Sequence, residues 1–318
     1  MDIFQHAAFQ MTVLTLLAVT GVVARRLDFM NPAFDTMLSR LVVNFSLPAL
    51  MLASVLNADH LPPFGDIATI LGFSMLAYVL MMVLAFGLPR LVPSLAPAAS
   101  GAHSFMLAFG NTSFVGLPVL GAVFGPQAVF YGVIVNIPFN LFVFTCGAAM
   151  VKRAGAAQAP KSLRRRARRV ARDLMNPVMV ACVAALLLAA LGVTDKGGLV
   201  GSTLGYIGQM TVPASMLIIG STLATMNPRD MLGHALPYAT ALMRLLGVPL
   251  ILWAVLRLAI DDPLILGVIV VSSGMPVASM GIMMALMYDG DVRAMSQGTF
   301  ITTVLALVTI PLLALVVW

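Results

Sequence analysis

Apolar residues along this chain come in long runs and do not alternate with polar ones. Ten stretches of roughly 18–25 predominantly apolar residues follow one another, each long enough to cross a hydrocarbon core of about 30 Å as a helix. They fall at roughly 6–24, 36–56, 67–89, 102–125, 128–150, 175–192, 203–226, 232–257, 263–287 and 294–317. Connections between them are short except for one basic segment, 152–173, which divides the spans into five and five. The pattern predicts an all-α polytopic membrane protein with ten transmembrane helices. Residues 1–151 would form a first five-helix unit, 152–173 a linker and 174–318 a second five-helix unit.

Composition sharpens this picture. The 318 residues are 60% hydrophobic and 9% charged, whereas a soluble domain needs about 25% charged residues to cover its surface. The acidic residues are all Asp, placed in connections or at span edges. Nine of the eighteen Lys and Arg lie between Lys152 and Arg172, so the net charge of +6 is a membrane-topology signal and not a nucleic-acid surface. With the linker in the cytoplasm, Arg25, Arg26, Arg40, Arg90, Arg229 and Arg293 join it on the inner side. Lys196 and Arg257 fall outside, and Arg244 lies within a span. This asymmetry is expected of ten spans in a bacterial inner membrane with both termini periplasmic.

Within the linker, Leu163, Ala167, Val170 and Leu174 share one helical face and arginines fill the others. The segment 161–172 therefore reads as an interfacial helix whose partner is the anionic headgroups of the membrane. The first span is preceded by no Lys or Arg and followed by Arg25-Arg26, the reverse of a secretory leader. Cys146 and Cys182 lie inside apolar spans, and the four histidines have no ligand spacing. Neither a metal nor any other cofactor is expected.

Two halves with five spans each are oppositely oriented, which is the plan of inverted-repeat transporters. The second span reads Asn44-Phe45-Ser46-Leu47-Pro48-Ala49, and the seventh reads Gln209-Met210-Thr211-Val212-Pro213-Ala214. The fourth carries Gly116-Leu117-Pro118-Val119 and the ninth Gly274-Met275-Pro276-Val277. Proline removes a donor and clashes with the preceding turn, and glycine tolerates the resulting dihedrals. Spans 4 and 9 are therefore expected to break at Pro118 and Pro276, unwound around 111–118 and 272–276, and to cross near mid-membrane. Broken backbone is stable in a bilayer only where protein or cavity water satisfies it. Two half-helix N-termini meeting there would suit an anion.

The run Gly110-Asn111-Thr112-Ser113-Phe114-Val115-Gly116-Leu117-Pro118 resembles the helix-4 signature of the auxin efflux carrier family. Residues 41–52, Asn176-Pro177 and Tyr288-Asp289-Gly290-Asp291 resemble that family as well, so the likeness covers essentially the whole chain. The resemblance implies a bile-acid-symporter-like fold with helices 1, 2, 6 and 7 as scaffold and helices 3–5 and 8–10 as transport domain. It also implies a secondary carrier; bacterial members are often described as permeases for malonate or related organic acids. By position Asn111 matches a carboxylate-binding residue of the plant members. Ser272-Ser273 stand where those carriers present an amide, a departure from the hormone-binding pattern.

The polar residues at membrane depth supply the candidate substrate-binding set. Arg244 has no acidic residue at its depth and is open to three roles: a direct carboxylate ligand, a source of positive potential, or a donor to carbonyls of a broken helix. Asn111, Thr112 and Ser113 precede the expected break at Pro118. Ser272 and Ser273 precede that at Pro276, and Asn136 and Asn140 lie one turn apart on span 5. Asn44 and Gln209 sit beside the matched prolines of spans 2 and 7, surfaces open to homodimer or scaffold packing. An intramembrane enzyme would need a metal cluster or an acid–base pair, and the chain offers neither. A sensor built on a transport fold and a sodium-coupled symporter of bile-acid type stand as alternatives to a carrier of small organic anions.

Overall fold

Helices in this computed structural model start where the sequence supplies a cap. The structure describes residues 3–59, 61, 63–91, 97–151, 175–225 and 235–317; the basic linker and its expected interfacial helix lie outside them. The elements are α1 (Ile3–Arg26), α2 (Pro32–Leu56), α3 (Phe64–Arg90), α4 (Pro97–Ala108) and α5 (Thr112–Phe124). They continue with α6 (Pro126–Val151), α7 (Pro177–Ala190), α8 (Leu199–Thr225) and α9 (Ala235–Leu256), then α10 (Pro263–Ser273), α11 (Met280–Met287) and α12 (Val292–Val317). Asn31, Asn176 and Asp262 each accept a first-turn N–H and are each followed by proline, whose missing N–H costs nothing at a helix start.

Six of these helices (α2, α3, α6, α8, α9 and α12) are long and apolar enough to cross a membrane, and α5, α7 and α10 are shorter apolar helices. The described residues form no strand beyond one isolated bridge. The protein is an all-helical, polytopic membrane protein. Its outer faces carry large apolar side chains such as Phe9, Phe45, Val83, Leu187 and Val308, all exposed, as lipid contact requires. Helices α1 and α8 pack backbone to backbone, because Gly220 rests on the Ala18 carbonyl and Gly21 on the backbone of Leu217. The contact between α2 and α8 is polar: Ser46 Oγ donates to the Ile207 carbonyl at 3.0 Å and lies 2.6 Å from Thr211 Oγ1. On the face of α1 and α8 toward α2, Arg25 pairs with Asp35 at 3.0 Å, and Ser221 donates to the same carboxylate oxygen at 2.7 Å.

The prolines act differently from the sequence expectation. Pro118 does not break its helix. A single π-helical turn, Thr112–Gly116, ends two residues before it, and the chain stays helical to Phe124. The same device precedes Pro48 (Val42–Ser46) and Pro249 (Met243–Gly247). An N–H that bonds five residues back moves carbonyls away from the position where the proline ring would strike them, so the helix widens and is not severed. The interruption between α4 and α5 lies at 109–111, upstream of the expected place. That between α10 and α11 lies at 274–279, so it includes Pro276 but leaves Ser272 and Ser273 in the last turn of α10.

Candidate functional site

The two interruptions meet. Gly110 and Val277 form an antiparallel bridge. The Asn111 N–H donates to the Pro276 carbonyl at 2.7 Å, and the Ala278 N–H donates to the Phe109 carbonyl at 3.0 Å. Each break thereby satisfies backbone groups of the other, as a non-helical segment at membrane depth must. Four half-helices converge here: the C-terminal ends of α4 and α10 and the N-terminal ends of α5 and α11.

Arg244, carried by the π turn of α9, reaches into this junction and is 1% exposed. Its Nε donates to the Met275 carbonyl at 3.2 Å, its Nη1 donates to the Leu107 carbonyl at 2.8 Å, and Met81 Sδ lies 3.8 Å from Nη1. Leu107 belongs to the last turn of α4 and Met275 follows the end of α10, so the guanidinium sits on two negative helix ends. Of the three roles open to Arg244 from sequence, the structure shows the bonds to carbonyls of broken helices. Among the described residues no carboxylate pairs with it. Gly110 makes the approach possible, since a Cβ there would collide with Arg244 Nη2 and lie 3.0 Å from the Met275 carbonyl.

On the other side of the junction, Asn111 caps α5, its Oδ1 accepting from the Phe114 N–H at 3.1 Å. Thr112 Oγ1 and Ser113 Oγ donate to one atom, Asn136 Oδ1, at 2.8 and 2.7 Å. Asn136 is fully buried on α6 and donates from Nδ2 to the Gly132 carbonyl at 3.0 Å; Asn140 donates to the Asn136 carbonyl at 2.7 Å. The hydroxyl hydrogens of Thr112 and Ser113 are thus committed to holding α5 on α6. Asn111 Nδ2 donates to no described residue, which leaves it a donor for a ligand. Ser273 Oγ donates back to the Val270 carbonyl at 2.6 Å, and Ser272 is buried beside it.

Two participants went unnoticed in the sequence, and a third, Gly110, was read only as part of the helix-4 run. Thr302, on α12, accepts from the Val277 N–H at 3.0 Å and donates to the Gly298 carbonyl at 2.7 Å, pinning the second break. Tyr78, on α3, is a side-chain partner of Thr112 and an electrostatic neighbour of Arg244. Gly110 gives Arg244 its passage. Thr302 and Tyr78 are polar groups at mid-span in apolar helices, and that alone marks them.

The chain is similar to known transport proteins along nearly its whole length. It is 26% identical over 309 residues to an uncharacterized transporter of Methanothermobacter thermautotrophicus, covering 96% of this chain and 97% of the relative. It is 19% identical over 307 residues to an uncharacterized transporter of Methanocaldococcus jannaschii, covering 94% and 95%. The family model described as "Membrane transport protein" matches residues 6–314, and with that match, and the helix-4 run already noted, the chain belongs to the membrane transport protein family of the auxin efflux carriers.

Proposed function

We propose that this protein is a secondary carrier that moves a small organic anion across the bacterial inner membrane by alternating access. The substrate is a carboxylate such as malonate or another mono- or dicarboxylate. One observation carries the reading: a guanidinium 1% exposed sits where two interrupted helices meet, with no described carboxylate to balance it. By covering the negative ends of α4 and α10 it leaves the positive ends of α5 and α11 uncancelled, and the cap position of α11, Ser279, makes no side-chain capping bond. A cation at the crossover would meet like charge, whereas an anion would complete the charge balance. Asn111 is the direct ligand in this reading. Thr112, Ser113, Asn136, Asn140, Ser272 and Ser273 form the polar wall, Pro118 and Pro276 shape the backbone, and Arg244 supplies the field.

Ten spans in an inverted five-plus-five repeat complete the proposal. Ser46 and Thr211, 165 residues apart and matched in the two halves, meet each other directly. Asn111 and Pro276 have the same spacing and also meet. A residue touches its own counterpart only near a pseudo-two-fold axis, so both contacts support the repeat. Both termini are placed in the periplasm and the 152–173 linker in the cytoplasm.

Purified protein in liposomes is expected to catalyse counterflow of radiolabelled malonate or of a related mono- or dicarboxylate. Loss of one neutral hydrogen bond, about 0.5–1.5 kcal/mol, should weaken the affinity of Asn111→Ala by roughly two- to tenfold. A panel of such acids with no counterflow would reject the carrier reading. For topology, a reporter active only in the cytoplasm should be active when inserted in the linker and silent when fused after Trp318; activity at the C-terminus would exclude the ten-span arrangement.

A further inference from the structure

Four helix ends and one guanidinium set the charge of the crossover. Among the described residues Arg244 is the one full charge bonded into the junction, through the Met275 carbonyl at 3.2 Å and the Leu107 carbonyl at 2.8 Å. The other described Lys, Arg and Asp lie at helix ends or in connections, except Arg40, which is exposed early in α2. A helix carries about +0.5 of an elementary charge at its start and about −0.5 at its end, on N–H and C=O groups without intrahelical partners. The ends of α4 and α10 therefore bring about −1 to the junction, and one guanidinium, which stays protonated, cancels them. The starts of α5 and α11 bring about +1, and no charged side chain among the described residues is bonded to answer it.

The hydrogen-bond inventory points the same way. One carboxylate finds a donor in Asn111 Nδ2, because Asn111 caps α5 through its Oδ1. A second carboxylate finds the other polar groups committed. Asn136 Nδ2 donates to the Gly132 carbonyl at 3.0 Å, which fixes the amide so that its Oδ1 takes both hydroxyl hydrogens of Thr112 and Ser113, at 2.8 and 2.7 Å. Ser273 donates to the Val270 carbonyl at 2.6 Å. What these hydroxyl oxygens still offer is lone pairs, which oppose a second carboxylate and suit the O–H of a carboxylic acid.

We propose that the substrate is bound as a monoanion: a monocarboxylate, or a dicarboxylate that has kept one proton. The inference rests on the carrier reading of the site and narrows it, since that reading admits mono- and dicarboxylates alike. A monoanion closes the charge balance of the junction. A dianion would leave about one negative charge without a partner at membrane depth, where an unpaired charge is costly.

The test compares malonate with its monomethyl ester, which is a monoanion throughout, by calorimetric titration of the full-length protein in detergent. Between about pH 6 and pH 8, above the second ionisation of a small dicarboxylic acid, malonate affinity should fall about tenfold per pH unit, following the half-protonated fraction. The ester should stay within about twofold over the same range and bind at least about tenfold tighter than malonate at its upper end. A titrating group on the protein would move both ligands together, so the comparison cancels it. Malonate affinity that does not change with pH, or malonate binding tighter than the ester at the upper end, overturns the proposal and leaves the carrier reading in place. Succinate with its monomethyl ester, and propionate as a simple monocarboxylate, extend the comparison to other sizes. If none of these acids binds at any pH, the carrier reading fails and the proposal falls with it.

Discussion

Arg244→Gln is expected to destabilise the protein by about 2–4 kcal/mol in an SDS-unfolding titration. The wild-type guanidinium serves the Met275 and Leu107 carbonyls at 3.2 and 2.8 Å from a side chain 1% exposed. Glutamine is too short to serve both, and a buried carbonyl left without a donor costs about 1–3 kcal/mol. Relief of the guanidinium's own desolvation offsets part of that loss. If the field of Arg244 also favours the anion, affinity for malonate should fall about tenfold to a hundredfold, the equivalent of about 1.5–3 kcal/mol for a charge-assisted interaction. Arg244→Lys separates the two effects. It keeps the charge and loses the planar fork, so binding should recover more than stability does. Stability equal to wild type in Arg244→Gln would show that the junction does not depend on the clamp. Unchanged affinity in a folded variant would mean that the anion site draws nothing from this charge.

How far the sequence reached is clearest at the prolines. Runs of apolar residues located the helices, because length and hydrophobicity are what a bilayer demands. The Asn-Pro and Asp-Pro pairs at 31, 176 and 262 start helices for a local reason too, since the side chain accepts a first-turn N–H and proline lacks the donor that would go unused there. The two breaks were expected, but the first was placed wrongly. Gly116-Leu117-Pro118 and Gly274-Met275-Pro276 are 158 residues apart, whereas the contacts at Ser46–Thr211 and Asn111–Pro276 follow a spacing of 165. The difference of seven is close to two helical turns of about 3.6 residues, so the shifted match presents the same helix face and looks right in sequence. What decides between the registers is whether a proline cuts a helix or merely widens it, and that depends on room for a π turn. Burial of Thr112 and Asn136, and the hydrogen bond between them, was equally out of reach: it rests on the approach of α5 to α6, which no local pattern encodes. Arg244 stood out in the sequence because an intramembrane cation is costly. Its two carbonyl partners were not, since they come from α4 and from the break after α10.

Gly110→Ala is expected to cost about 1–3 kcal/mol, comparable to overpacking a buried core, although it adds a single methyl group. The backbone does not resist the change, because Gly110 has no positive φ and pairs with Val277 in extended geometry. In such a position alanine would ordinarily stabilise by about 0.4–1 kcal/mol through the unfolded chain, so a net loss has to come from contact. The contact is with Arg244 Nη2, and the Met275 carbonyl lies 3.0 Å from the new Cβ. A flexible side chain elsewhere would swing aside, but Arg244 is held by Met275 and Leu107 and can move only by releasing them. The cost should therefore be conditional on the arginine. In an Arg244→Gln background the shorter side chain leaves room for the methyl group, and Gly110→Ala should fall to within about 0.5 kcal/mol of neutral, giving a coupling energy of about 1–3 kcal/mol in the double-mutant cycle. Strict additivity of the two changes would show that Gly110 and Arg244 act independently, and the passage of the guanidinium over Gly110 would then carry no stability.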